Sequence, residues 1–254
     1  MSDLRRDFEG NGKDWTAPRV VDEPRVKTYS INECFYSPQG EGHRSGTMNV
    51  FLRFAGCNLQ CVDAKKLDRP LQGNEIDAGF HCDTDFAKVQ KLTLEEVIDL
   101  VKKTDKGGCG WVILTGGEPT LQADSALIRA LRRARYYIAI ETNGTRWADI
   151  LDEGDDPVDF VSCSPKPGSK IELDEASEVR CVAKAGQIPN DGGIKARHYF
   201  VSPACDAPTA DKITGFHGSV ADFNREAMAW AVEYCSAHPK WRVSLQIHKI
   251  LNVR

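Results

Sequence analysis

Trp111-Val112-Ile113-Leu114-Thr115-Gly116-Gly117-Glu118-Pro119 opens with an apolar run and stops on a threonine and two glycines. A run this short, closed by turn residues, reads as a buried strand. The pattern recurs downstream. Residues 137–140 form a second such strand, ending at Glu141-Thr142-Asn143-Gly144, and 159–163 a third, ending at Ser164-Pro165-Lys166. Helical stretches lie between them. Thr93-Leu94-Glu95-Glu96 is a capping box leading into Val97, Ile98, Leu100 and Val101 at helical spacing, and 121–135 also reads as helix. Upstream, 28–35 and 49–54 are strand-like and flank Gln39-Gly40-Glu41-Gly42; downstream, 179–182, 198–201 and 242–246 are strands and 221–236 is helix. Buried strands alternating with helices imply βαβ units and a parallel sheet, an α/β fold. Six or seven strands are too few for a closed eight-fold barrel, so the expected architecture is an incomplete (β/α) barrel. In such folds the C-terminal strand ends carry the active site, and the polar tripeptides fall at that edge.

The chain has 254 residues and a formal net charge of -4. It lacks the bulk basic footprint of a nucleic-acid binder, and no apolar run approaches the roughly 20 residues needed to span a bilayer. Residues 1–15 are polar, without the apolar core of a signal peptide, so the expected compartment is the cytoplasm. Residues 1–27 read as a polar tail, 28–254 as the folded domain, and 62–81, polar and rich in turn residues, as a long inserted loop.

Nine cysteines are present, at 34, 57, 61, 82, 109, 163, 181, 205 and 235. An odd number without a secretion signal argues against a disulfide framework. Cys57 and Cys61 stand three residues apart in Ala55-Gly56-Cys57-Asn58-Leu59-Gln60-Cys61, and Cys82 follows in Phe80-His81-Cys82-Asp83-Thr84. Three thiolates can hold three irons of a 4Fe–4S cluster and leave the fourth open to a small chelate. On spacing alone, inert buried cysteines, or a zinc site completed by a histidine such as His81, remain alternatives.

Taken with Thr115-Gly116-Gly117-Glu118-Pro119, the cysteines resemble the signature of radical S-adenosylmethionine enzymes. Within that superfamily the chain resembles the 7-carboxy-7-deazaguanine synthases from about residue 29 to its end. The matching segments include 35–42, 51–59, 82–86, 141–144, 164–166 and Gln246-Ile247-His248-Lys249. The departure is the third cysteine, which in the family follows the second closely. Here the insertion at 62–81 intervenes, and the three cysteines are expected to meet in space despite it. A glycyl-radical-enzyme activase shares the CxxxC and GGEP features but would need neither Gln39-Gly40-Glu41-Gly42 nor Cys82-Asp83-Thr84.

The resemblance implies a carbon–nitrogen lyase of queuosine and deazapurine biosynthesis. Reductive cleavage of S-adenosylmethionine would generate a 5′-deoxyadenosyl radical that takes hydrogen from C6 of 6-carboxy-5,6,7,8-tetrahydropterin. Ring contraction, return of the hydrogen and loss of ammonia would leave 7-carboxy-7-deazaguanine. Substrate contacts are then expected from Pro38, Gln39, Gly40, Glu41, Thr115 and Arg254, and from Arg53 as a planar fork for a carboxylate. Glu141 is expected as an acceptor for ring N–H groups in the catalytic centre, and His248, on a strand, as a substrate contact or proton shuttle. S-adenosylmethionine would lie against Gly117, Ser164, Pro165, Lys166 and Ser202, with Glu118 and neighbouring backbone holding its ammonium. The Thr84 hydroxyl would ligate a magnesium ion shared with the substrate. The resemblance also implies a homodimer and an electron donor such as flavodoxin or ferredoxin.

Overall fold

The computed structural model describes residues 26–79, 82, 89–151, 157–204, 225–251 and 253. Its core is one nine-stranded sheet. In chain order the strands of the molecule are β1 (Thr28–Pro38), β2 (Met48–Phe54), β3 (Gln60–Val62), β4 (Glu75–Asp77), β5 (Gln90–Thr93), β6 (Trp111–Gly116), β7 (Tyr137–Thr142), β8 (Phe160–Cys163), β9 (Glu175–Ala183), β10 (Lys195–Pro203) and β11 (Trp241–Val243). The helices are α1 (Leu94–Thr104), α2 (Ser125–Arg133), α3 (Arg225–Ala237) and α4 (Ile247–Ile250). The large sheet runs β11-β10-β9-β8-β7-β6-β2-β1-β5, and β3 and β4 form a separate two-stranded sheet.

From β2 through β6 to β11 all neighbours are parallel and follow chain order, the arrangement of a barrel wall. β1 closes this wall antiparallel to β2 and to β5. The two outermost strands, β5 and β11, do not pair with each other among the described residues, so the barrel is incomplete, as expected.

Alternation of side chains divides the sheet into two faces. Val50, Leu52 and Phe54 of β2, Val112 and Leu114 of β6 and Ile138 and Ile140 of β7 point to the main core, which α1 and α2 complete with Val97, Val101, Leu127, Ile128 and Leu131. The opposite face begins with an apolar layer, Phe51, Ile113 and Ala139, packed by Phe35, Trp111 and Phe160. One pleat further toward the C-terminal ends, the same face carries Arg53, Thr115 and Glu141. The register places Phe51 beside Ile113 and Arg53 beside Thr115, and Ile113 beside Ala139. The inner face thus has an apolar floor with a polar layer above it.

Several expectations need correction. α2 begins at Ser125 rather than 121, because Pro119–Leu121 forms a 3-10 turn and Asp124 caps the helix by accepting from the Leu127 amide. The last strand stops at Val243 rather than 246, and Gln246 instead leads into α4. His248 therefore lies on a short helix, not a strand. Among the described residues, helices precede β6, β7 and β11 only, and short Gly- and Asp-containing loops lead from β8 to β9 and from β9 to β10. Lys27, read as tail, pairs with Asp124 beside the start of α2. Of the helix expected at 221–236, residues 221–224 lie outside the described residues. No helix is long and apolar enough to cross a membrane among the described residues.

Candidate active site

The CxxxC loop leaves β2 at the edge where the parallel strands end. Gly56 takes a positive φ of 89°, and Cys57 follows it. The Cys57 sulfur accepts from the Leu59 amide at 3.4 Å and lies 3.8 Å from the Asn143 side-chain nitrogen. Asn143, at the end of β7, also donates to Asn58 Oδ1 at 3.1 Å and so braces the loop from across the sheet. Burial pushes the Cys57 thiol above its ordinary range, and the neighbouring Glu118 carboxylate pushes it the same way. Holding it as a thiolate is therefore work for a bound metal group.

Of the insertion expected as a loop, residues 62–79 form a folded excursion. Cys61 and Val62 lie in β3, paired with Ile76 and Asp77 of β4. Asp63 caps a 3-10 turn, Ala64–Lys66, and its carboxylate lies 3.3 Å from Lys184, just beyond β9. The Ala78 amide returns to the Val62 carbonyl at 2.9 Å, and the Cys82 amide reaches the Cys61 carbonyl at 3.2 Å. The chain thus comes back to its starting point. Cys57, Cys61 and Cys82 are all free thiols, and Cys82 is exposed. No three His, Cys, Asp or Glu side chains close round a single ion among the described residues. The donor set is instead three thiols on one returning loop, the ligand chemistry that suits a 4Fe–4S cluster with an open iron. Thr84 and His81 lie outside the described residues.

The Gly-Gly-Glu segment is stitched to this loop. The Gly117 amide donates to the Phe54 carbonyl at 3.0 Å and the Glu118 amide to the Gly56 carbonyl at 2.9 Å. A Cβ on Gly117 would stand 1.9 Å from the Gly56 carbonyl oxygen. The glycine is thus needed for the chain's own close approach as well as for any ligand's. Glu118 is fully buried. Its Oε1 accepts from the Thr120 amide, the Thr120 hydroxyl and the Thr142 hydroxyl at 3.1, 2.7 and 2.8 Å, and its Oε2 from the Asn143 amide at 2.7 Å. Expected as an ammonium acceptor, Glu118 is here a buried anchor between β6 and β7, with acceptor capacity left only on Oε2.

Other expected ligand contacts surround the same edge. Lys166 Nζ donates to Ser164 Oγ at 3.0 Å, and Pro165 between them is buried. Ser202, near the end of β10, is 1% exposed and its hydroxyl has no partner among the described residues. A buried hydroxyl left in this state is unfavourable unless a ligand completes it. With the Gly-Gly backbone and three thiols nearby in the fold, the residues present fit a cluster with S-adenosylmethionine.

Below this rim the polar layer is an ionic network centred on a residue missed by sequence reasoning, Arg180. Its Nη1 lies 3.0 Å from Glu41, its Nη2 2.7 Å from Glu141 and its Nε 3.2 Å from Glu178, while Nε also donates to Ser162 at 2.7 Å. Glu141 further accepts from Gln39 at 3.0 Å and Thr115 at 2.7 Å, and Glu41 from Gln246 at 2.6 Å. Burial alone would raise the Glu141 pKa, but the Arg180 charge, with hydrogen bonds from Thr115, Arg180 and Gln39, holds it down to about 2. Glu141 is thus a permanent acceptor near neutral pH rather than a proton carrier. His248 packs over Gly40, where a Cβ would meet its Nδ1 at 1.8 Å, and the Ile247 amide donates to the Gly40 carbonyl at 2.9 Å. Pro38 ends β1 just before this turn. Arg53, expected to receive a carboxylate, lies with Nε 2.9 Å from Glu33 on the adjoining strand. Arg254 lies outside the described residues. The signal for Arg180 was present: Glu178 and Arg180 alternate with Val179 and Cys181 on a buried strand, where charges two apart share one face.

Comparison with known proteins agrees with this geometry. A family model described as the Radical SAM superfamily matches residues 72–177. A 7-carboxy-7-deazaguanine synthase of Bacteroides thetaiotaomicron is 38% identical over 88% of this chain and 98% of its own length. One from Bradyrhizobium diazoefficiens is 34% identical over 89% of this chain and 100% of its own. The crystal structure of QueE from Escherichia coli superposes with a TM-score of 0.56 at 22% identity, covering 86% of this chain and 93% of that one, a likeness of fold. The chain belongs to the 7-carboxy-7-deazaguanine synthase family of radical S-adenosylmethionine enzymes.

Proposed function

We propose that this chain converts 6-carboxy-5,6,7,8-tetrahydropterin to 7-carboxy-7-deazaguanine with loss of ammonia, as a carbon–nitrogen lyase whose site lies within residues 28–254. The observation that carries the reading is the return of the Cys82 amide to the Cys61 carbonyl at 3.2 Å. It brings the displaced third cysteine back to the CxxxC loop, at the mouth of a polar barrel interior. When bound, the cluster and S-adenosylmethionine supply the carbon-centred radical that abstracts hydrogen from the substrate.

The chain's residues bind and orient. Cys57, Cys61 and Cys82 hold the cluster. The Gly117 backbone, Ser164, Pro165, Lys166 and the unpartnered Ser202 hydroxyl receive S-adenosylmethionine. Gln39, the Gly40 backbone, Glu41, Thr115 and Glu141 line the inner layer and take the ring's polar edge, with Pro38 shaping the turn beneath. Arg53 and the terminal Arg254 meet the substrate's carboxylate end, and His248, on α4 against Gly40, closes the pocket from the C-terminal side. Thr84 ligates a magnesium ion shared with the substrate. An electron donor such as flavodoxin or ferredoxin, a homodimer and a cytoplasmic setting complete the reading.

The test is anaerobic reconstitution followed by product mass after incubation with the carboxytetrahydropterin. Alanine at any one of Cys57, Cys61 or Cys82 should lower bound iron and acid-labile sulfide and abolish S-adenosylmethionine cleavage. Alanine at Cys34, Cys109 or Cys235 should leave iron and sulfide unchanged. A carboxytetrahydropterin recovered at unaltered mass, or full iron and sulfide in the first three variants, would overturn the assignment.

A further inference from the structure

Arg180 is 5% exposed and sits where three carboxylates converge from three parts of the fold. Glu41 comes from the turn between β1 and β2, Glu141 from β7 and Glu178 from β9 itself. Glu178 and Ser162 fix the guanidinium from one side. Ser162 accepts from Arg180 Nε at 2.7 Å and donates to Glu178 Oε1 at 2.8 Å, and Glu178 Oε2 accepts from the His43 amide at 2.7 Å. The two terminal nitrogens are left to face Glu41 and Glu141, one each.

We propose that Arg180 is a positioning residue for the substrate: by bridging Glu41 and Glu141 with its two terminal nitrogens, it holds the two carboxylates side by side as paired acceptors. The ligand this pair fits is a ring presenting adjacent N–H donors, such as a ring nitrogen beside an exocyclic amine. The inference rests on the pterin reading above and adds to it the residue that sets the acceptors' spacing and the charge of Glu141. Among the described residues, Glu141 Oε1 is filled by Gln39 and Arg180 and Oε2 takes Thr115 alone, while Glu41 Oε1 takes Gln246 alone. Each carboxylate therefore keeps an oxygen with a free lone-pair site. A buried ion cluster of this kind adds little net stability compared with an apolar replacement. Its purpose is more readily found in orientation than in folding.

Other charged and titratable groups stand around the pair: Arg53 lies in the same layer beside Thr115, and His248 packs over Gly40, next to Glu41. The Arg44 charge, from the turn after β1, acts on Glu141 and Glu178, and His198 of β10 senses Glu178. Cys163 of β8 senses Arg180, and burial pushes its thiol up to about 12, so it stays neutral. Without Arg180, Glu141 loses the charge that holds its carboxyl down in a buried site, and it binds a proton at higher pH than in the wild type.

The experiment measures binding of the carboxytetrahydropterin by calorimetry to the cluster-loaded, S-adenosylmethionine-bound protein from mildly acidic to mildly alkaline pH. Arg180→Gln should weaken binding by up to about tenfold for each pH unit below the new carboxylate pKa, relative to the wild-type profile. Its iron content and S-adenosylmethionine affinity should match the wild type. Arg180→Lys retains the charge and should return the profile to the wild-type shape, and it is the variant to read if Arg180→Gln does not fold. A glutamine variant with the wild-type profile, or a lysine variant whose binding falls steeply in acid, would overturn the proposal. Because binding is read rather than turnover, a wild-type protein that binds the pterin but fails to contract its ring would strike the proposed reaction and leave Arg180 standing. A wild type that does not bind the pterin at all would overturn both.

Discussion

Gly117 illustrates how a residue's role depends on a neighbour distant in sequence. Its place after a buried strand suggested close approach to a ligand, yet the nearest obstruction to a side chain is the Gly56 carbonyl, 1.9 Å from an added Cβ. Backbone cannot yield as a flexible side chain can, so the two strand ends would have to part. Gly117→Ala should cost about 1–3 kcal/mol through overpacking, lowering the melting temperature by several degrees. It should also loosen the loop that presents Cys57 and lower iron bound per chain. Thermal melts and iron analysis of the reconstituted variant check this; an unchanged melt with full iron would mean that the loop accommodates the methyl group. The buried anchoring of Glu118 was not legible for a similar reason. The partners that saturate it, Thr120, Thr142 and the Asn143 amide, gather only when β6 and β7 lie side by side. Arg180 was passed over because a charge in a strand suggests solvent, until the alternation with Val179 and Cys181 shows which side is buried.

Among the elements, the central parallel strands were legible because each is a short apolar run ended by turn residues, as in β6, β7 and β8. What escaped was set by caps and pairing. Asp124 moved the start of α2, and Gln246 ended the last strand early. The antiparallel closure by β1 and β5 leaves no local trace in composition. The insertion is the largest such case. Its polar residues read as loop, but β3 and β4 pair in parallel and Asp63, 3% exposed, lies against Lys184 on the barrel. Asp63 also accepts from the Lys65 amide, so one carboxylate both folds the excursion and docks it. Asp63→Ala should leave the barrel's melting temperature little changed, because its core lies elsewhere. It should weaken cluster retention by about tenfold or more, the usual penalty for losing a group that orients a metal ligand. Iron release to a chelator, followed against time, is the measurement. Release at the wild-type rate would show that the excursion holds Cys82 without this anchor.

For the molecule as a whole, the layered interior sets how stability depends on pH. An apolar floor of Phe51, Ile113 and Ala139 carries a charged layer that cannot easily exchange with water. Two shifted groups in or beside that layer act in the same direction. His198 is held below its ordinary value of 6.5 by burial, then by the nearby positive charges of His43, Arg242 and Arg197, with Glu178 opposing. The unfolded chain therefore binds its proton first, and the native state loses stability as pH falls through about 6.5. Glu141 is held at about 2 against 4.5. Its contribution, about 3 kcal/mol at most by linkage, is present above 4.5 and disappears as pH falls toward 2. Denaturant unfolding across this range should show two steps, a small one below pH 6.5 and a larger one below 4.5. His198→Gln should remove only the first step, and Glu141→Gln should shrink only the second, to which Glu75 and other low-titrating carboxylates also contribute. Acid loss of the cluster affects all the chains alike and cancels in the differences between variants and wild type. If Glu141→Gln still shows the full lower step, the acid sensitivity lies in other carboxylates and the Arg180 network does not govern it.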